Sequence, residues 1–370
     1  MRRIHFLIVA VFMLLPQSCK WNDDVRPDDS PWGYEDPRIS GFDEPLLLAL
    51  DSLFDAGRLG GIGSMLVLKD NKLVFEDYYG FYTRDSLQGI GSMGNIIVSL
   101  LVGIAIDGGF FNGVEDSVYK YLPERQSYFE ADQLKKRIRF KDILTMKSGL
   151  SWNETLSGVN SSSNDVNVIK TAPSAVEFLL KKPMESIPGQ RFSQNSAGSL
   201  IILEALESAT SLSVDEIVNQ WLFKPLQIND WTVRKDEAGL SDLSLGLAIK
   251  PLDLLKIGDL MLNNGSWLGQ RIVSASWVEE STSTQHRISS FSDMGYLWWR
   301  FSDDSSWSVY FPENRTFYAL SDEDHYMFVM PEYDMVYLLT TSGRTSTSTN
   351  LGYYVLSNYL LSTLQPVGGS

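Results

Sequence analysis

A single cysteine, Cys19, stands in a chain of 370 residues, so no intrachain disulfide and no cysteine-based metal cluster can form. Basic residues are scarce as well: 31 Lys and Arg face 46 Asp and Glu, a formal charge of −15. Setting aside Arg2 and Arg3 of the first segment brings the balance near −17, which argues against nucleic acid as a partner. Histidine occurs only three times, as His5, His286 and His325, and that restricts the supply of general bases. No internal repeat is evident. With 44% hydrophobic and 12% aromatic residues, the chain lacks the composition of a disordered protein and can bury a large core, in one large or two interleaved domains.

The first stretch, MRRIHFLIVAVFMLLPQSC, has a basic start, a short apolar run and small Ser18 before the cysteine, which is signal-peptide architecture over residues 1–18. The apolar run is too short to span a bilayer comfortably. Cys19 is expected to be the lipid-modified first residue of a bacterial lipoprotein, anchoring the chain to a membrane of the cell envelope on its periplasmic or outer-membrane surface. The alternative is an ordinary cleaved signal with an incidental cysteine, because Pro16 and Gln17 fit a lipobox imperfectly. Residues 19–41, acidic and proline-rich, read as a tether; a strapped-down N-terminal arm is the alternative.

Further along, DEPLLLALDSLFDA at Asp43 to Ala56 predicts an amphipathic helix. The segments SMLVLKD and KLVFEDYYG around Asp70-Asn71 predict a hairpin. Gly91-Ser92-Met93-Gly94-Asn95 then opens a run, Ile96 to Ile106, that is apolar on every side of a helical wheel, as in a helix buried all round. Ser92 falls at the start of that helix, where backbone N–H groups lack partners and the dipole favours negative charge, and Asp107-Gly108-Gly109 closes it. Ser151 to Thr171 is polar and reads as a mobile surface loop. A block of helical spacings follows, and strand character returns in GYLWWRF, SWSVYF, TFYAL, YMFVM and MVYLLTT before a terminal amphipathic helix. This order predicts an α+β fold: an antiparallel sheet flanked by terminal helices, with an inserted helical lobe. The expected domain covers 42–366, with a sheet lobe at 42–90 and 290–366 and a helical lobe at 91–289.

Several pieces, among them SLLVGIAIDGG, VEDSVYKYLPE, ILTMKSGLSW, PGQRF, WLFKPLQI, GYLWW and FVMPEYDMVYLLTTS, resemble the β-lactamase-related serine hydrolases. That family includes class C β-lactamases, penicillin-binding-protein-like carboxypeptidases and esterases, and aminohexanoate-oligomer hydrolases. The resemblance runs from about Gly61 to the C-terminus and implies a β-lactamase/transpeptidase-like fold. These pieces are packing residues and turn glycines, however, and fold alone does not carry function.

The resemblance also says where the chemistry should lie, and there the chain departs from the family. A serine hydroxyl needs a nearby base. The family's S-x-x-K lysine is replaced by Asn95, which shares a helical face with Ser92. Its tyrosine-x-asparagine triplet aligns with Gln194-Asn195-Ser196, so Gln194 stands for the tyrosine and Ser196 for the asparagine. Its Lys/His-x-Gly strand aligns with Asp322-Glu323-Asp324, counted back from FVMPEYDMVYLL. Strand alternation would turn Asp322 and Asp324 towards Ser92, with His325 on the opposite face. A carboxylate about 4 Å from a developing oxyanion would cost about 4 kcal/mol at an effective dielectric near 20.

Other readings stay open on the residues alone. Ser92 is either a helix N-cap or a residual nucleophile or ligand contact. The carboxylates of Asp322, Glu323, Asp324 and Asp334 either hold a hard cation or form a solvated acidic turn, and no metal or cofactor is expected. Trp298-Trp299 either stack a ligand or pack the core. The function expected is a catalytically impaired homologue that binds an envelope or peptide-like ligand, a peptidoglycan fragment or a small ester or amide, with Ser196, Asp322, Asp324 and His325 as ligand contacts. An active esterase, amidase or D-alanyl peptidase/β-lactamase-type enzyme using Ser92 with a non-standard base is the alternative, and a scaffold with an unused cleft is a third.

Overall fold

Asp70 and Asn71, with φ of 52° and 59°, reverse the chain between β1 (Ile62–Lys69) and β2 (Lys72–Tyr78); two successive left-handed residues give the turn whose twist suits a two-residue hairpin. In the computed structural model, which describes residues 30–154, 161–343 and 350–364, this hairpin joins a sheet completed from the other end of the chain. Its remaining strands are β3 (His286–Arg287), β4 (Ser292–Met294), β5 (Trp299–Phe301), β6 (Phe317–Leu320), β7 (Tyr326–Met330) and β8 (Met335–Thr341). The order is β2-β1-β8-β7-β6-β5-β4-β3, and neighbouring strands run antiparallel.

Period-two alternation divides the sheet between two cores. Met65 and Val67 of β1 join Phe328, Tyr337 and Leu339 on one face. That face is covered by α1 (Glu44–Asp55) through Leu47, Leu50 and Phe54, and by the terminal helix, Leu351–Val355. Leu66 and Leu68 join Val329, Val336 and Leu338 on the other face. There the cover is α2 (Asn95–Asp107), α3 (Leu200–Thr210) and α4 (Pro251–Leu262). Every residue of β1 is buried, which is why its alternation is invisible as hydropathy: both faces are apolar.

The buried helix follows its sequence closely. Every residue from Asn95 to Gly103 is buried, and fully burying each leucine contributes roughly 1.5–3 kcal/mol. At Gly103 a Cβ would lie 2.3 Å from the Trp277 ring, so only glycine lets that indole close over the helix.

Four expectations change. The N-terminal tether is partly an arm: Trp32 is buried, donates from Nε1 to Asp259 Oδ2 at 2.8 Å and meets Trp267 edge-on at 5.6 Å. Residues 19–29 of the expected tether, Cys19 among them, and the signal segment lie outside the described residues. SWSVYF forms no strand; Ser306–Val309 is a helical turn that stacks Trp307 on Phe301 at 4.9 Å, so the aromatic is buried from outside the sheet. The segment expected to be a mobile loop holds a short helix, Asp165–Ile169, and buries Trp152, Glu154 and Asn164; residues 155–160 are not described. His286 belongs to the edge strand β3, so the sheet begins before the expected boundary at 290. Among the described residues no helix is long and apolar enough to cross a membrane.

Candidate active-site cleft

Ser92 sits in a tight helical turn, Gly91–Gly94, that leads into α2. Gly94 is fixed by close approach, because a Cβ there would lie 2.0 Å from the Leu243 carbonyl oxygen. Gly94 is also the residue that precedes α2, and no side chain caps the helix. The N-cap reading of Ser92 therefore fails: the serine lies two residues before the capping position. Half-buried, it faces a narrow space of about 20 Å³ shared with Asn95, Gln194 and Ser196, and with Ala319 and Leu320 of β6. That is the room of about one water. The structure thus brings together Ser92, Asn95, Gln194 and Ser196.

Asn95 does not turn a free amide towards the Ser92 hydroxyl. Its Nδ2 donates to the backbone carbonyls of Ser92 and Ser196, both at 3.0 Å, and its Oδ1 accepts from the Ser199 hydroxyl. The amide is 3% exposed and saturated by neighbours that cannot accept a serine proton. No hydrogen bond joins the Ser92 hydroxyl to a described side chain.

The chemistry-bearing group that sequence reasoning missed is Glu154. Its Oε2 accepts from Trp152 Nε1 at 2.8 Å and from the Ser196 backbone N–H at 2.9 Å. Its Oε1 accepts from Ser196 Oγ at 2.5 Å and from Gln194 Nε2 at 3.3 Å. Burial pushes the carboxyl above its ordinary range although the bonds from Ser196 and Trp152 oppose the shift. A carboxylate with four donors pins the Gln194–Ser196 segment against the cleft. The only trace in the sequence is an acid two residues after a tryptophan, too weak a signal to single out.

The third element was misplaced. Asp322, Glu323 and Asp324 occupy the turn between β6 and β7 and not a strand, so alternation does not govern them. Asp324 is left-handed, with φ 63°, and its neighbour is the Tyr326 hydroxyl at 3.5 Å, part of the core on the other sheet face. It does not crowd an oxyanion at Ser92, and the electrostatic cost attributed to it does not arise. The strand residues beside Ser92 are Ala319 and Leu320, so the strand presents an aliphatic side chain to that space. Asp334 lies beyond β7, at its opposite end. Five residues of strand, about 17 Å, keep it from the other three carboxylates, and among the described residues no metal-ligating group of three is found.

His325 precedes β7 rather than standing on a strand. It is 1% exposed, and its Nδ1 accepts the Thr341 N–H at 3.0 Å. His286 packs its ring 5.7 Å from Phe192, which lies 6.4 Å from Trp299 at the cleft. Burial, with Lys147 adding to it, pulls His286 down to about 4, so it is neutral at pH 7. Trp298 is fully buried against Phe317, whereas Trp299 is half-buried and lines the cleft; the pair divides between the two roles weighed for it.

Known proteins agree with this architecture. Over 258 residues the chain is 24% identical to the 6-aminohexanoate-dimer hydrolase of Paenarthrobacter ureafaciens, covering 64% of this chain and 63% of that protein. The chain thus spans under two thirds of the length of the curated relative it matches. Among solved structures, a Bacillus anthracis protein described provisionally as a 6-aminohexanoate-dimer hydrolase superposes with a TM-score of 0.70 at 18% identity, covering 84% of this chain and 79% of that one. A penicillin-binding protein of Bacillus halodurans gives 0.63 at 13% identity, covering 83% and 98%. These likenesses carry the fold. Residues 50–358 match the Beta-lactamase family, and the chain belongs to that family of β-lactamase-fold serine hydrolases.

Proposed function

We propose that this chain is a lipid-anchored family member of the bacterial cell envelope that holds an envelope-derived, peptide-like ligand without acylating Ser92. The observation that carries the reading is Asn95, an amide saturated by Ser92, Ser196 and Ser199 in the place of the activating lysine. Without a base the hydroxyl keeps its proton at neutral pH. Gln194 in place of tyrosine and Leu320 on the facing strand support the same reading, as does the small volume over Ser92. Neither side chain has a basic form.

The test is labelling with a fluorophosphonate and a fluorescent penicillin, comparing wild type with Ser92→Ala. Equal background on both is the expected result, and Ser92-dependent labelling would overturn it. For the anchor, Cys19→Ala should move the protein from the detergent phase to the aqueous phase; unchanged partitioning would count against lipidation.

A second reading, a working hydrolase with an unusual base, is favoured by Glu154, a buried carboxyl of raised proton affinity bonded to two residues of the cleft. It predicts labelling that Glu154→Gln abolishes.

A further inference from the structure

The turn after β6 separates two spaces. Ala319 and Leu320 line the narrow one over Ser92, whereas Asp322, Glu323 and His325 line a second pocket of about 450 Å³, whose lining also includes Lys170 and, bonded to His325 and Glu323, Thr341. That volume lies within the range of small-molecule sites.

His325 is the informative residue. It is 1% exposed, and because Nδ1 accepts the Thr341 N–H, the neutral ring carries its proton on Nε2. That Nε2 has no hydrogen-bond partner. The nearest carboxylate oxygen, Glu323 Oε2, is 3.4 Å away, longer than a good N–H···O bond. Buried donors are normally satisfied, so one left open at a pocket wall calls for an acceptor. The Glu323 side chain beside it is 48% exposed, and its pairing with His325 holds its carboxyl below the ordinary range although burial opposes the shift. Lys170, exposed at the end of the short helix Asp165–Ile169, adds a cation.

The pocket therefore offers two donors, His325 Nε2–H and the Lys170 ammonium, next to two carboxylates, Asp322 and Glu323. A purely anionic ligand would meet two like charges. A purely cationic one would leave the imidazole donor open.

We propose that this pocket binds a small zwitterion, an amino acid or short peptide, whose carboxylate accepts from His325 and faces Lys170 while its ammonium lies against Glu323 and Asp322. The proposal deepens the ligand-binding reading above and makes no use of Ser92.

Calorimetric titration of the full chain with glycylglycine, glycylglycinamide and N-acetylglycylglycine tests it. The dipeptide should bind, and each singly charged analogue should bind at least about tenfold more weakly, the scale of one lost charged contact. Glu323→Gln should weaken the dipeptide while sparing the N-acetyl analogue, and Lys170→Ala should weaken the dipeptide while sparing the amide. Both residues are exposed, so unchanged melting temperatures confirm folding. Ser92→Ala should bind as wild type does. Absence of dipeptide binding, equal binding of all three ligands, or loss of binding in Ser92→Ala would each overturn the proposal. Fluorophosphonate labelling of the same samples reports separately on the non-acylating reading.

Discussion

The Ser199 hydroxyl donates to Asn95 Oδ1 while Asn95 Nδ2 reaches the carbonyls of Ser92 and Ser196, so one amide ties α2 to the start of α3 and to the Gln194–Ser196 segment. An amide suits this place because it offers an acceptor at one end and two donors at the other. A lysine would supply donors only.

Asn95→Lys should therefore destabilise the protein. It would leave the Ser199 hydroxyl without its acceptor and bury an ammonium, a cost of about 2–4 kcal/mol. Calorimetry should show a lower melting temperature by several degrees, and a variant as stable as wild type would contradict the cross-brace.

Restoration of activity should depend on the strand position. Asn95→Lys with Gln194→Tyr and Leu320→His should give weak hydrolysis of a nitrophenyl ester above the Ser92→Ala background. The same pair with Asp322→His and Asp324→Gly should give none, since that turn does not line the Ser92 cleft. Equal rates from the two designs would refute the placement.

Glu154→Gln should cost about 2–4 kcal/mol, because hydrogen bonds to a charged group contribute roughly 1.5–3 kcal/mol each and the new amide turns a donor towards the donors of Trp152, Ser196 or Gln194. Urea unfolding would measure it. A shift under 0.5 kcal/mol, the ordinary surface effect, would argue that the carboxylate does not hold the segment.

Burial raises Asp259 to about 6, with its bonds from Trp32 and Asn263 opposing the rise. Its folded value lies above the ordinary 3.8, so the folded state binds the proton more tightly. This contribution falls as pH rises from about 4 to about 6, by up to about 3 kcal/mol, and is flat above. Asp259→Asn should remove that slope, read as the wild-type minus variant difference in unfolding free energy across pH 4 to 7. A constant difference would contradict the shift.

Gly94→Ala should be strongly destabilising, by at least about 2 kcal/mol, because its methyl meets the Leu243 carbonyl at 2.0 Å and the backbone must yield. Near-wild-type stability would mean the turn holding Ser92 is softer than its packing implies.

Fold was legible where a local pattern and its environment coincide. The Asp70-Asn71 turn, the helix buried from Asn95 to Gly103 and strands β6 to β8 all follow from short-range periodicity. The misreadings share one cause. Counting back from FVMPEYDMVYLL put Asp322 to Asp324 on a strand, whereas β6 ends at Leu320 and β7 begins at Tyr326, and alternation then assigned the three carboxylates a face they do not have. SWSVYF carried strand-like aromatics whose burial comes from stacking beside the sheet. Trp32 sat in a polar stretch, and its partners Asp259 and Trp267 lie more than two hundred residues away.

The sequence by itself determined that Ser92 opens a buried helix and that neither Asn95 nor Gln194 has a basic form, because side-chain chemistry is fixed by residue identity. Tertiary structure alone decided what those side chains touch. The saturation of Asn95, the four donors around Glu154, and the division of β6 and its turn into a leucine-lined cleft and a charged pocket all join segments far apart in the chain. Hydrogen bonds and burial depend on distance in space, and no local pattern encodes that distance.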